Sequence, residues 1–149
     1  MSESNEVGKI VAVSISEKKS VKKRNVPSVE LKENFGIVGD AHAGSGNRQV
    51  SLLAEESIKK MLDKGLNVKP GDFAENITTK GMDLLKLKIG SKMKLGSGAI
   101  LEVSQIGKEC HTRCNIYYQA GDCVMPTEGI FARVVKGGVL KPGDEICIL

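Results

Sequence analysis

Short runs of branched apolar residues, cut again and again by glycine-containing turns, constrain this chain more than any other feature. Residues 8–16 (GKIVAVSIS) are β-branched and partly alternating, the signature of a strand. Residues 28–33 alternate polar and apolar, and residues 49–53 form a further strand candidate. Residues 91–95 and 99–106 flank Gly96-Ser97-Gly98, which predicts a hairpin with a glycine-rich connection. The chain closes over residues 139–149 with a turn at Lys141-Pro142-Gly143 and a last strand. Helical spacing is confined to a few places. Ile58, Met61 and Leu62 recur at helical intervals within residues 55–64, and Gly65 supplies the stop. Residues 84–87 suggest one short turn of helix. Residues 128–136, with Ile130, Phe131, Val134 and Val135, predict another short helix ended by Gly137-Gly138. Many short strands with few short helices predict a mainly β, single-domain barrel.

At 149 residues the chain is large enough for one domain with a real core. Aromatic residues make up only 3% and Trp is absent, so aliphatic side chains must fill that core. The same scarcity argues against nucleic acid, because single-strand platforms stack bases on aromatic faces. The net charge of +4 owes much to Lys18-Lys19-Ser20-Val21-Lys22-Lys23-Arg24. That run is either a solvated loop or a binding edge for an acidic partner, with Lys22, Lys23 and Arg24 as its salt-sensitive positions. No apolar run approaches the roughly 18 residues a membrane span needs. The polar start, Met1-Ser2-Glu3-Ser4-Asn5-Glu6, is unlike a signal peptide. A cytoplasmic location follows as the expectation, with the four cysteines as free thiols.

Chemistry-bearing residues gather in three clusters on predicted loops. The first is Gly39-Asp40-Ala41-His42 with Arg48-Gln49, and the second is Gly71-Asp72-Phe73-Ala74-Glu75-Asn76. The third is Gly107-Lys108-Glu109-Cys110-His111-Thr112-Arg113-Cys114, followed by Asp122-Cys123 and Glu128-Gly129. Lys108 and Arg113 would favour the thiolate, which is both the nucleophile and the soft-metal ligand. Several uses of these groups compete. A zinc site lacks the paired C-x2-C knuckles, since the spacing here is C-x3-C-x8-C. A thiol–disulfide oxidoreductase normally shows Cys-x-x-Cys. A Cys–His hydrolase would draw its base from His42 or His111. Arg48 and the amides of Gly44-Ser45-Gly46 suit a phosphate, or form an ordinary surface loop. Asp40 and Glu75 serve either as acid and base or as acceptors for loop amides, Asn76 is expected to cap a turn, and Cys123 and Cys147 are expected as buried small hydrophobes.

Taken in order, these phrases resemble the MOSC domain, the module at the C-terminus of molybdenum-cofactor sulfurases that also occurs as small stand-alone bacterial proteins. The matching stretches are Gly36-Ile37-Val38-Gly39-Asp40-Ala41-His42, Arg48-Gln49-Val50-Ser51-Leu52 and Pro70-Gly71-Asp72-Phe73-Ala74-Glu75-Asn76-Ile77-Thr78-Thr79. They continue with Leu87-Lys88-Ile89-Gly90, Leu101-Glu102-Val103-Ser104-Gln105 leading to Cys110, and Leu140-Lys141-Pro142-Gly143-Asp144. The resemblance covers residues 8–149 and leaves 1–7 as a disordered tail.

The resemblance implies a β-barrel and a cysteine that carries sulfur or ligates the molybdenum of a molybdopterin-type cofactor. That role falls on Cys110 and Cys114, with Cys110 at the family's usual distance from the strand. Arg48 and Lys108 would hold the pterin phosphate, and Asp40, His42, Gln49, Glu75, Asn76 and Arg113 would complete the cofactor pocket. The chain has no room for the pyridoxal-phosphate-dependent domain of the long sulfurases, so if it is catalytic, sulfur or electrons must arrive from another protein. The leading expectation is a carrier or delivery module with a sulfur donor or recipient molybdoenzyme as partner. A molybdenum-dependent reductase of N-hydroxylated compounds and a protein-interaction barrel are the alternatives.

Overall fold

The computed structural model describes residues 7–18, 23–44, 46–65, 67–73, 75–106 and 129–149. Along the chain the strands are β1 (Val7–Ile15), β2 (Arg24–Val26), β3 (Val29–Lys32), β4 (Gly36–Ile37), β5 (Val50–Ala54), β6 (Ile77–Lys80), β7 (Lys92–Leu95), β8 (Ala99–Ile106), β9 (Ile130–Lys136), β10 (Gly138–Leu140) and β11 (Glu145–Ile148). Helix α1 (Glu55–Asp63) follows β5 directly, and single 3-10 turns occupy Gly46–Arg48 and Leu84–Lys86.

Seven strands close on themselves in the cyclic order β1, β11, β7, β8, β9, β5, β6, with β2 attached to β1 outside the ring. Closure leaves the ring without unpaired edges. β10, β3 and β4 form a separate small sheet. Every neighbouring pair in the ring is antiparallel except β5 and β6, which run parallel. A parallel neighbour cannot be reached by a tight turn and needs a long crossover. Helix α1 and the segment that precedes β6 supply it, which is why a helix stands among so many strands.

Alternation along the strands sorts the core into two parts. Leu52, Ile77, Met93, Leu101, Ile130 and Ile146 belong to the barrel interior and are essentially inaccessible. Leu53 and Phe131, one residue on from two of these, point to the other side of the wall. There they pack with Ile58 and Met61 of α1 and with Val68 and Phe73 of the crossover.

The helix expected over residues 128–136 is instead β9, with Glu128 itself outside the described residues. Ile130, Ala132 and Val134 point inward and Phe131 outward, a period of two. Pairing with β8 on one edge and β5 on the other overrides the helical spacing of the same side chains. Gly137 does not stop a helix. A Cβ there would lie 2.5 Å from the carbonyl oxygen of Leu31, so glycine lets the chain pass against β3 on its way into β10. Of the expected tail at 1–7, Val7 is described, and it already pairs with Cys147 in β1.

Candidate functional site

Two polar groups organise the loops, and each ties distant stretches of sequence together. The first centres on Lys23. Although it comes from the basic run, its side chain is buried, at 1% relative exposure. Its ammonium lies 2.8 Å from Asp40 Oδ1 and 3.1 Å from both Ser16 Oγ and His42 Nδ1. Asp40 Oδ1 also accepts the Ser16 amide, and Oδ2 accepts the His42 amide, each at 3.0 Å. Desolvation by itself would raise the Asp40 carboxyl. Hydrogen bonds from its neighbours, the Lys23 ammonium and the Ser16 amide among them, outweigh it and hold the group well below the usual carboxylate range. Asp40 is therefore an acceptor hub locked in its ionised form. Lys23 is thus removed from the salt-sensitive surface expected of this run, because Asp40 draws it inside; Arg24 remains exposed at the start of β2, and residues 19–22 lie outside the described residues.

The Lys23 backbone joins this hub to the second loop. Its N–H donates to the carbonyl of Gly71. Gly71 has φ +94°, and a Cβ on it would sit 2.4 Å from the Lys23 carbonyl oxygen, so conformation and proximity both require glycine. Glu75 then organises the turn from within. Its carboxylate accepts the Gly71 and Phe73 amides at 2.9 and 3.2 Å and the Thr78 hydroxyl at 2.9 Å. Burial nevertheless pushes its carboxyl above the ordinary value, against the pull of those donors.

Asn76 is no simple turn cap. It is fully buried, and its Nδ2 donates to the Ser14 carbonyl at 3.1 Å. Its Oδ1 accepts the Ser51 amide at 3.0 Å and the Ser51 hydroxyl at 3.2 Å. One amide thereby ties β1 and β5 to the start of β6. Asp40, Glu75 and Asn76 all bond their own loops and strands, which makes them the frame of the site.

The second group surrounds Arg48. The 3-10 turn Gly46–Arg48 lets its Nε donate to Gln105 Oε1 at 3.1 Å, while the guanidinium lies over the Phe131 ring, 5.3 Å from its centroid. Gln105 stands one residue before the end of β8, and Phe131 one residue after the start of β9. The guanidinium therefore spans the two strand ends between which residues 107–128 run. Arg48 is half-buried and meets no carboxylate among the described residues. Gln49 is buried, accepts the Val134 amide at 3.1 Å and donates to Asn34 Oδ1 at 3.3 Å, so it anchors this turn to β9.

Cys110, Cys114, Lys108 and Arg113, with His111, Asp122, Cys123 and Glu128, lie outside the described residues. Cys147 is only half-buried. Among the described residues no group of His, Cys, Asp or Glu is arranged to hold a metal ion, and no helix is long and apolar enough to cross a membrane. Sequence reasoning missed Lys23, Ser16, Ser51, Gln105 and Phe131 as parts of this frame. Lys23 had no local signal, since its charge merged with that of its neighbours.

With this geometry in view, the similarities are specific. A model of the MOSC domain matches residues 39–147. The fold is similar to the crystal structure of the YuaD protein from Bacillus subtilis, at TM-score 0.80 and 22% identity over 97% of this chain and 96% of that one. It is also similar to YiiM from Geobacillus stearothermophilus, at TM-score 0.70 and 19% identity over 95% of this chain and 75% of that one. YiiM from Escherichia coli aligns at TM-score 0.65 and 17% identity over 95% and 69% of the two chains. No curated protein matches the sequence.

Proposed function

Because the chain belongs to the MOSC domain family, we propose that it binds a molybdopterin-type cofactor and carries or delivers that cofactor, or its sulfur, to a molybdoenzyme in the cytoplasm. The observation that carries this reading is Arg48. It is a half-buried guanidinium held by one nitrogen and one flat face, without a carboxylate among the described residues, beside both ends of the stretch that contains Cys110 and Cys114. A guanidinium kept in this way suits a phosphate, to which it presents paired donors in a fixed fork.

The donor set fits the cofactor. Arg48, with Lys108 and Arg113, would take the phosphate, and His42 would add a polar contact. Asp40, Gln49, Glu75 and Asn76 hold the loops that carry these groups. Cys110 or Cys114 would act as a soft thiolate ligand or persulfide carrier. When bound, the cofactor supplies a metal centre able to accept a terminal sulfur or electrons. The chain's own part is to hold the phosphate, keep a thiolate charged beside cations, and fix the loops so that neither moves on binding.

The test is mass spectrometry of protein purified anaerobically from a cofactor-producing host, read for molybdenum, pterin and persulfide. Near-stoichiometric cofactor or persulfide, lost in C110S/C114S, is the expected result. Cofactor and sulfur loading unchanged in that variant overturns the reading.

A further inference from the structure

We infer that Lys23 is a positioning residue. It commits His42 to the neutral tautomer with its proton on Nε2, so that the ring offers one N–H donor to an oxygen of the bound ligand. The ligand's identity rests on the function proposed above; the tautomer does not.

A lysine ammonium has three donors and no acceptor. Its 3.1 Å contact with His42 Nδ1 therefore requires Nδ1 to accept, since a proton on that nitrogen would point at the ammonium. The ammonium also stands closer to the carboxylate than the ring does, 2.8 Å against 3.7 Å, so Lys23 and not the ring is the partner of Asp40. Which ring nitrogen carries the proton is set by the partner of the other one. Where a carboxylate faces Nδ1 directly, that nitrogen is the donor and Nε2 is left as a base. Here the lysine is interposed and the roles reverse.

The ring is also held in place. Asp40 Oδ2 accepts the His42 backbone N–H, and the Ala41 amide donates to the Ser16 carbonyl, so the segment before and at the histidine is fastened to the end of β1. The His42 side chain is 19% exposed, and Nε2 has no partner among the described residues. A ring held at Nδ1, with Nε2 left without a partner among the described residues, suits recognition of an acceptor oxygen. It is the wrong form for a general base, which removes His42 from the Cys–His hydrolase reading.

Long-range proton–nitrogen correlation spectra of nitrogen-15-labelled protein test this, with the His42 signals identified by their loss in H42Q. The wild-type ring should show an unprotonated Nδ1 and a protonated Nε2. Replacing Lys23 alone strands a buried carboxylate, so the comparison uses K23M/D40N, which removes both charges. That variant should release the ring into a mixture of tautomers and hold purified molybdenum cofactor about tenfold more weakly, the scale of one lost hydrogen bond. A proton on Nδ1 in the wild type, or an unchanged tautomer or unchanged affinity in the folded double variant, overturns the inference. If the cofactor binds neither protein, the proposed function fails and the ring spectra still decide the role of Lys23.

Discussion

Replacing Lys23 by methionine should be among the most damaging single changes available to this protein. Both side chains of the Lys23–Asp40 pair are at 0% relative exposure. The ammonium spends its three donors on Asp40, Ser16 and His42. Methionine fills much of the volume but leaves the carboxylate buried with only the Ser16 and His42 amides as donors. Breaking a buried pair from one side costs about 3–5 kcal/mol. A domain of this size has about 5–15 kcal/mol in total, so K23M should lose roughly a fifth or more of its stability. D40N should be harmful for the mirror-image reason. K23M/D40N should be more stable than either single variant, because no uncompensated charge remains. The resulting coupling energy should be about 3 kcal/mol. Urea unfolding followed by far-UV circular dichroism measures it, since the chain has no Trp to report by fluorescence. Losses that simply add, or a K23M loss below about 1 kcal/mol, would refute the reasoning from burial. The pH dependence gives a second check. The folded-state carboxyl of Asp40 is held below its unfolded value, so its stabilisation is complete above pH about 4 and is lost as the pH falls below that. D40N should remove that acid-side loss.

Glu75 should titrate with the opposite sign. Its folded-state carboxyl is raised, so the unfolded chain releases the proton first and stability declines as the pH rises from about 4 through the folded value; that slope should vanish in E75Q, as read from unfolding midpoints across pH. Two glycines with nearly the same φ separate strain from contact. Gly65 at φ +92° has open space where a Cβ would go, and G65A should cost about 1–2 kcal/mol. Gly71 at φ +94° has the Lys23 carbonyl there, so G71A should cost clearly more by the same urea measurement and should perturb the His42 ring signals, which G65A leaves alone.

Much of the barrel was legible because its strands carry their own punctuation. β1, β5, the β7–β8 hairpin and β11 announced themselves through alternation and glycine turns, as did α1 through its apolar spacing. β9 was not legible, because Ile130, Phe131, Val134 and Val135 satisfy a helical period equally well. Only the strands on either side decide between the two, and they are remote in sequence. The site shows the same division. Asp40, Arg48 and Glu75 stood out by residue type. Their partners did not, because Lys23 is buried by an aspartate 17 residues away and Asn76 reaches Ser14 across 62. A residue pattern identifies a group capable of chemistry far better than it identifies the group that will neutralise or orient it.

The pairing of β1 with β11 shapes how the molecule assembles. Val7, Gly8 and Lys9 bond to Cys147, Ile146 and Glu145, so the first strand is stitched to the last. The ring stays open until both strands are present. A nascent chain emerging from the ribosome therefore exposes the inner faces of its early strands until β11 arrives. Contacts of such long sequence separation slow folding, because the entropy of closing the loop is lost before the contact forms. Closure of the barrel should thus come late and all at once, with β11 acting as the clasp.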